Sequence, residues 1–254
     1  MSNSLARITG GPTAGAVVSH RSRFFLTMAL VMFLPVAVGF GPTFFLRPWS
    51  GAADYRGGPF PVHLIVHGSF LSAWFLLFVA QPTLVAAHRV DLHRRLGVIG
   101  VGVAVGVTLA SIVTIVRFVP RATAAGAPEE AILGVSLGDL AAIVVFMVCV
   151  GSAVYWRRRP AAHARLMFLA SVFIVGPAFS ASRPIGRAVG QYGEASGLVF
   201  QVACIVALVV CDVVTRKRVH PATWFGIAMY LASAIAVVAA IVSGLGAAFV
   251  DSLR

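Results

Sequence analysis

Two histidines and one aspartate stand out in a chain that carries few charged residues. His63 and His67 are four residues apart in P-V-H-L-I-V-H-G, so an α-helix places both rings on one face. Asp139 lies about eight residues inside a later apolar run, roughly 12 Å along a helix. A carboxylate facing lipid is costly, so we expect Asp139 to face the bundle interior or a wet cavity. With Arg183, which ends another apolar run, these residues form a predicted outer pocket.

Three interpretations of this outer pocket are open. In the first, the side chains form a hydrogen-bonded polar cluster in which Asp139 pairs with Arg183. In the second, two histidines at i and i+4 and a carboxylate from another helix bind a divalent metal ion. In the third, haem binds with His63 or His67 as one axial ligand, because two histidines on one helix cannot reach both faces of the ring. Asp139 would then orient a histidine, and Arg183 would pair with a propionate.

A second group of histidines lies on the predicted cytoplasmic side. Gln81 closes one apolar run, His88 and His93 belong to H-R-V-D-L-H-R-R-L-G, and His163 belongs to R-R-R-P-A-A-H-A-R-L-M. Because His88, His93 and His163 are at similar depth on different elements, a haem held by two histidines is geometrically easier here than at the outer pair. The alternative is that these segments anchor the chain at the membrane interface, with arginines meeting anionic headgroups.

The elements that must position these side chains are membrane-spanning helices. The 254 residues are 59% hydrophobic and 11% charged, whereas a soluble domain carries about a quarter of its residues as charges. A spanning helix needs about 20 apolar residues. Seven runs are suitable: 24–45, 62–85, 96–117, 131–155, 164–182, 197–214 and 222–248. The sequence therefore predicts an all-α polytopic membrane bundle of seven transmembrane helices.

Prolines and glycines mark special places in these predicted helices. Pro35 and Pro177 interrupt the first and the fifth, which a membrane helix tolerates when neighbouring groups satisfy the freed carbonyl. The third helix carries a face of small residues that would let another helix approach closely. These residues are Gly97, Gly100, Gly102 and Gly106.

Basic residues concentrate at alternate connections between the apolar runs. The set of connections that includes the N-terminus carries a net charge of +11, and the other set carries +2. The positive-inside rule therefore places the N-terminus in the cytoplasm and the C-terminus outside. We predict a flexible cytoplasmic leader over 1–23 and a seven-helix transmembrane domain over 24–254. Since this topology accounts for the formal charge of +12, we expect no nucleic-acid partner.

The order of the histidine-bearing motifs is informative as a set: His63, His67-Gly68, Gln81, His93-Arg-Arg-Leu-Gly97 and His163-Ala-Arg-Leu-Met167, followed by Arg183. This order resembles families of bacterial predicted multi-pass membrane proteins. It is also distantly similar to small multi-helix membrane proteins associated with cytochrome oxidase assembly. The resemblance covers roughly residues 62–185, four of the seven predicted helices. It implies a haem- or copper-related respiratory role.

We therefore expect an integral protein of the bacterial inner (cytoplasmic) membrane that binds a cofactor, haem b before a divalent metal, for electron transfer or respiratory oxidase assembly. Its expected partners are the lipid bilayer and respiratory-chain components, and no catalytic residue is predicted. Two alternatives remain. One is a binding or transport protein for a small anionic or lipid-like solute, using Arg117, Arg183 and Arg187. The other is a structural membrane subunit.

Overall fold

A computed structural model describes the backbone of residues 14–47, 49, 60–180 and 184–254. It also describes the side chains of these residues apart from 14–22, 191, 193 and 194. Arg183, the predicted partner of a propionate, lies outside the described residues.

The described part of the chain is all-helical. Its α-helices are Ala14–Phe40 (α1), Val62–Ala86 (α2), Val90–Ala124 (α3), Glu129–Tyr155 (α4), Pro160–Phe173 (α5), Pro184–Val189 (α6), Gly193–Arg216 (α7), Pro221–Val242 (α8) and Leu245–Asp251 (α9). Seven segments are long and apolar enough to cross a membrane: α1 with a following π-helical turn, α2, α3, α4, α5 with a following 3-10 turn, α7 and α8. The predicted all-α fold with seven spanning helices is confirmed.

Several helices begin or end away from the predicted bounds. α1 begins at Ala14, inside the segment predicted as a leader. α3 extends from Val90 to Ala124, so the H-R-R-L-G segment and Arg117 are both helical. The last predicted span ends at Val242, because Gly244 adopts a left-handed conformation with φ +76° and starts the separate helix α9. A glycine reaches that conformation without the steric cost of a Cβ atom.

The two intramembrane prolines have different effects. Pro35 lies inside α1, which continues to Phe40. Pro177 follows the end of α5 at Phe173, and the chain continues there as the 3-10 turn Gly176–Phe179. Interruption of the fifth span is therefore found, whereas the first span stays helical through its proline.

α5 lies at the centre of the bundle. In its span 67% of the apolar window is buried, against 6% for α8. Phe168 and Leu169 of α5 are fully buried in the main hydrophobic core. Trp74 of α2 packs edge-to-face on Phe146 of α4, with ring centroids 4.8 Å apart. Any polar side chain on α5 is consequently placed among neighbouring helices on several sides.

α2 and α3 form an antiparallel pair, and its two ends hold the two predicted histidine groups. We call the end that contains the start of α2 and the end of α3 the His63 end. The opposite end, where α3 and α5 begin, is the His163 end. Contacts between Ser111 and His67 near one end and between Gly97 and Gln81 near the other fix the pairing of the two helices.

One of the four glycines on the predicted small-residue face of α3 makes room for a closely packed neighbour. A Cβ atom on Gly106 would lie 2.2 Å from the ring of Phe70 on α2, so this glycine makes room for an aromatic side chain. A Cβ on Gly97 or Gly100 would make only ordinary contacts at 4.0 Å, and one on Gly102 would meet nothing within 4 Å. The face therefore accepts one ring and does not bring a second helix backbone close.

Candidate functional site

The two histidines of the predicted outer pocket lie on one face of α2, both half-buried. His67 Nδ1 is 3.4 Å from the hydroxyl oxygen of Ser111 on α3. His63 lies in the first turn of α2, and its buried Nε2 has no hydrogen-bond partner among the residues that the structure describes. The two rings thus face α3, as an internal pocket requires, but their local environments differ.

Two arginines of α3 lie near His63. The charges of Arg121 and Arg117, from the last turns of α3, both act on the His63 ring. Arg121 Nε donates to the Arg117 carbonyl at 2.6 Å, while Arg121 Nη1 is buried without a partner. Two positive charges beside the ring disfavour a bare cation there, because like charges repel.

The remaining described residue of the predicted outer pocket is Asp139. Asp139 is half-buried on α4 at the His63 end. The part of the chain that the structure describes holds no group of three or more His, Cys, Asp or Glu side chains that could share a metal ion. A bare divalent ion normally needs more protein ligands than two histidines supply.

The histidines at the His163 end are brought together. The rings of His93 on α3 and His163 on α5 have centroids 6.3 Å apart and are nearly perpendicular, at 88°. His163 Nδ1 donates to the carbonyl oxygen of Ala153 on α4 at 2.9 Å. This bond fixes the tautomer of His163 and leaves its Nε2 with a free lone pair, the arrangement that metal-ligating histidines use.

Gln81 of α2 contacts His93. We call His93 and His163 the pair, and Gln81 is its neighbour. The amide is satisfied when its nitrogen faces α3, where it donates to the His93 carbonyl at 3.2 Å and to His93 Nδ1. Its oxygen then accepts from the Gly97 backbone N–H at 3.1 Å. In this state His93 carries its proton on Nε2, so the pair presents one donor nitrogen and one acceptor nitrogen.

His88, the third histidine at this end, does not join the pair. It is exposed in the turn between α2 and α3, where it adopts a left-handed backbone with φ +57°. Exposed arginines flank the pair instead: Arg94 and Arg95 follow His93, and Arg157, Arg158 and Arg159 precede α5. These cations could pair with carboxylates of a bound group at the membrane surface.

Among the described residues one ion pair is buried, and it joins two residues of the His163 end. Arg165 of α5 and Asp212 of α7 have side chains 1% and 0% exposed. Arg165 Nε donates to Asp212 Oδ1 at 2.9 Å, Arg165 Nη2 donates to the same oxygen, and Arg165 Nη1 donates to the Ala161 carbonyl at 2.7 Å. Asp212 Oδ2 accepts from Thr223 Oγ1 of α8 at 2.6 Å and from the His220 backbone N–H at 3.0 Å.

No protein-family model matches the chain, and neither a curated protein nor a solved structure is significantly similar to it. Assignment of a function therefore depends on the geometry of the chain's own residues.

Sequence reasoning missed the Arg165–Asp212 pair by assigning both residues to connections. The cost of burying a carboxylate, which drew attention to Asp139, applies equally to Asp212, because Asp212 lies inside the predicted span 197–214. The partner is less visible in the sequence, since pairing depends on how α5 and α7 pack. Arg165 and Asp212 had both been counted among the charges of the N-terminal set of connections. Leaving both out removes one positive and one negative charge, so the net charge of that set stays at +11.

α5 places polar side chains on two sides at its start. His163 faces α3 and α4, and Arg165, two residues later, faces α7 and α8. The His163-Ala-Arg165 segment thereby links five helices through a ligand-capable imidazole and a buried guanidinium. This arrangement suits a site in which a histidine must be held at a fixed depth.

Proposed function

We propose that this chain is a cofactor-binding integral membrane protein in which His93 and His163 would hold haem b. The observation that supports the proposal is the approach of these two imidazoles from separate helices, with 6.3 Å between their ring centroids. Imidazole nitrogens bind a metal atom at about 2.0–2.1 Å, so two imidazoles that share one would have ring centres about 6 Å apart. The separation of the pair is thus suitable for two histidines that would hold one haem.

Haem is favoured over a bare ion by the number of ligands at the pair. Haem iron receives four nitrogens from the porphyrin and needs only axial ligands from the protein. A bare zinc or copper ion needs three or four protein ligands, and among the described residues no third candidate joins the two histidines. Arg94, whose charge acts on His93, is suitably placed to meet a propionate.

The protonation of the pair sets one condition on the proposal. His163 already presents a free Nε2, because its Nδ1 donates to Ala153. His93 would present a free Nε2 only if the Gln81 amide turned over to accept from Nδ1–H, which gives up its bonds to the His93 carbonyl and the Gly97 N–H. Outer partners of this kind orient ligating histidines and raise their basicity. Gln81 therefore acts as a positioning residue for His93.

Haem supplies one-electron redox chemistry when it is bound, which fits electron transfer or respiratory oxidase assembly in the bacterial inner membrane. The chain's own residues hold the group at a fixed depth: the Ala153 carbonyl orients one ligand, Gln81 orients the other, and the Arg165–Asp212 pair anchors the start of α5. We further propose that the His163 end is cytoplasmic, because its connections carry the +11 charge. The partners would then be the lipid bilayer and respiratory-chain components.

The test is haem content in matched variants, expressed with an adequate haem supply and purified in mild detergent. Wild type should bind haem, and His163→Ala and His93→Ala should each lose most of it. His88→Asn is the matched control: it removes an exposed histidine five residues from His93 with a residue that tolerates the left-handed backbone. Haem retained in both His93→Ala and His163→Ala would contradict the ligand assignment. Absence of haem from the wild type would favour a structural membrane subunit.

A reporter fused after Arg254 tests the proposed orientation separately. A reporter that is active only in the periplasm should be active at this position. If a cytoplasm-specific reporter is active there instead, the N-in, C-out topology is wrong.

A further inference from the structure

Among the described residues, the facing ends of α2 and α3 at the His63 end each carry a buried hydrogen-bonding atom without a partner. These atoms are Nε2 of His63 in the first turn of α2 and Nη1 of Arg121 in the last turn of α3. Buried polar atoms are nearly always hydrogen-bonded, and leaving one unpaired is costly. Two such atoms from facing helix ends therefore require an explanation.

The antiparallel pairing of α2 and α3 brings these atoms to the same place. His67 is opposite Ser111, so one turn further along α2 His63 comes level with the final turns of α3, where Arg117 and Arg121 lie. The charges of both arginines act on the His63 ring. The Arg121 guanidinium is also oriented, because its Nε donates to the Arg117 carbonyl at 2.6 Å.

No carboxylate of the described residues forms an ion pair with Arg117 or Arg121. The acidic residue Glu129, which begins the neighbouring helix α4, is paired with Arg254 at 2.9 Å. Arg254 also pairs with Asp251 at 3.0 Å. Within the described part of the chain, the two arginines beside His63 thus form a positive group without an acidic ion-pair partner.

We propose that His63, Arg117 and Arg121 bind a phosphate-type oxyanion at the His63 end of α2 and α3. A phosphate group accepts several charge-assisted hydrogen bonds, and arginine presents its donors in a fork that fits phosphate oxygens. His63 would donate through Nε2–H, and Arg121 would donate through Nη1–H. Both unpartnered atoms would then be satisfied by one ligand, and its negative charge would compensate the arginines.

The same chemistry could come from the headgroup of an anionic phospholipid or from free phosphate. Both are compatible with the location, because the first turn of α2 and the last turn of α3 lie at the boundary of the apolar segments. The site is at the opposite end of the bundle from His93 and His163, so the proposal is independent of haem binding.

The test uses the purified full-length protein in a neutral detergent, in two arms. Calorimetry measures binding of inorganic phosphate at constant ionic strength. Native mass spectrometry counts bound phosphatidylglycerol against phosphatidylcholine. Binding of phosphate identifies the free anion as a ligand, whereas a preference for phosphatidylglycerol without phosphate binding identifies the headgroup. In either case, His63→Phe and Arg121→Gln should each weaken binding at least tenfold.

Arg254→Gln is the matched control, since it removes the same charge at the same end from an arginine that is already paired. It should leave binding within about twofold of wild type, because its exposed ion pairs contribute little to the fold. The His63→Phe protein should also unfold no earlier than wild type, because it loses a ring nitrogen that had no partner. The proposal is overturned if neither ligand binds, if both site variants bind normally, or if Arg254→Gln weakens binding as much as Arg121→Gln.

Discussion

Removal of the Asp212 carboxylate should be among the most destabilising single changes in this chain. Asp212→Ala leaves the Arg165 guanidinium buried, 1% exposed, without its counter-charge. Breaking a buried ion pair by removing one partner costs about 3–5 kcal/mol. The His220 backbone N–H loses its acceptor as well, and an unsatisfied buried donor costs about 1–3 kcal/mol. The two costs together are about 4–8 kcal/mol. We take the lower end, about 4 kcal/mol, as the expected loss, because the His220 N–H is only half-buried and the Thr223 hydroxyl can rotate to a new acceptor.

Native-state labelling of buried thiols measures this loss directly. Cys149 on α4 is 0% exposed and Cys204 on α7 is 2% exposed, and neither is in a disulfide. Each reacts with a maleimide only when the protein opens, so the labelling rate follows the population of open molecules when reclosing is fast. About 4 kcal/mol corresponds to a rate increase of about a thousandfold. Mass mapping separates these two sites from the half-buried Cys211.

A double-mutant cycle distinguishes the ion pair from general damage to the core. Arg165→Met should also be strongly destabilising, because it leaves a buried carboxylate without its cation. In a cycle that uses Asp212→Leu as the other single change, the double variant Arg165→Met/Asp212→Leu should recover at least about 2 kcal/mol relative to the sum of the two, since apolar groups can replace a buried pair with little loss. The exposed pair Arg89–Asp91, with side chains 58% and 60% exposed, supplies the control: Asp91→Asn should change the labelling rate less than about fivefold.

Either of two results would refute this reasoning. One is a labelling rate in Asp212→Ala within about fivefold of wild type, which would mean that the carboxylate does not hold the guanidinium. The other is additivity of the two single changes, which would mean that each side chain contributes separately through packing.

Three further predictions follow from other contacts. Gln81→Glu should retain haem at least as well as wild type, because a carboxylate only accepts hydrogen bonds and so keeps His93 in the tautomer with a free Nε2. Gln81→Leu should weaken haem binding about 10–100-fold. Equal haem affinities of the two variants would show that Gln81 does not belong to the site. Gly39→Ala should destabilise the bundle, since its Cβ would lie 2.5 Å from a backbone oxygen of the turn after α5. Gly151→Ala is the control and should be neutral, because its Cβ would meet nothing within 4 Å. Equal melting temperatures of the two variants in thermal unfolding would contradict this packing. Ser171→Ala should lower the free energy of unfolding by about 1–3 kcal/mol. The buried Trp74 indole N–H, 3.1 Å from the Ser171 hydroxyl oxygen, would lose its acceptor. Trp74→Phe in the Ser171→Ala background should restore part of this free energy, as measured by chemical denaturation.

The number and order of the spanning helices could be predicted because each depends only on a local run of apolar residues. Their ends were harder to place, since they depend on features that hydropathy does not measure. α3 continues past both ends of its apolar run because Arg94 and Arg117 are compatible with a helix that extends beyond the lipid. The last span stops early because Gly244 turns the chain.

The histidine pairs show the same division between local and tertiary information. The spacing of His63 and His67 correctly places them on one face of α2, since that depends on helix geometry alone. The approach of His93 to His163 was predicted only as a shared depth, whereas their separation depends on how α3 and α5 pack. The role of Gln81 at the same place could not be read from spacing, because it depends on the direction of a single amide.

The most direct test of the central proposal is a reduced-minus-oxidised absorption spectrum of purified wild type and His163→Ala, recorded at equal protein concentration. The proposal predicts a Soret band and an α band for the wild type that sharpen on reduction with dithionite, at a stoichiometry near one haem per chain. It predicts that these bands are lost or greatly weakened in His163→Ala, while His88→Asn keeps the wild-type spectrum. Identical spectra for wild type and His163→Ala, whether haem is present or not, would contradict it.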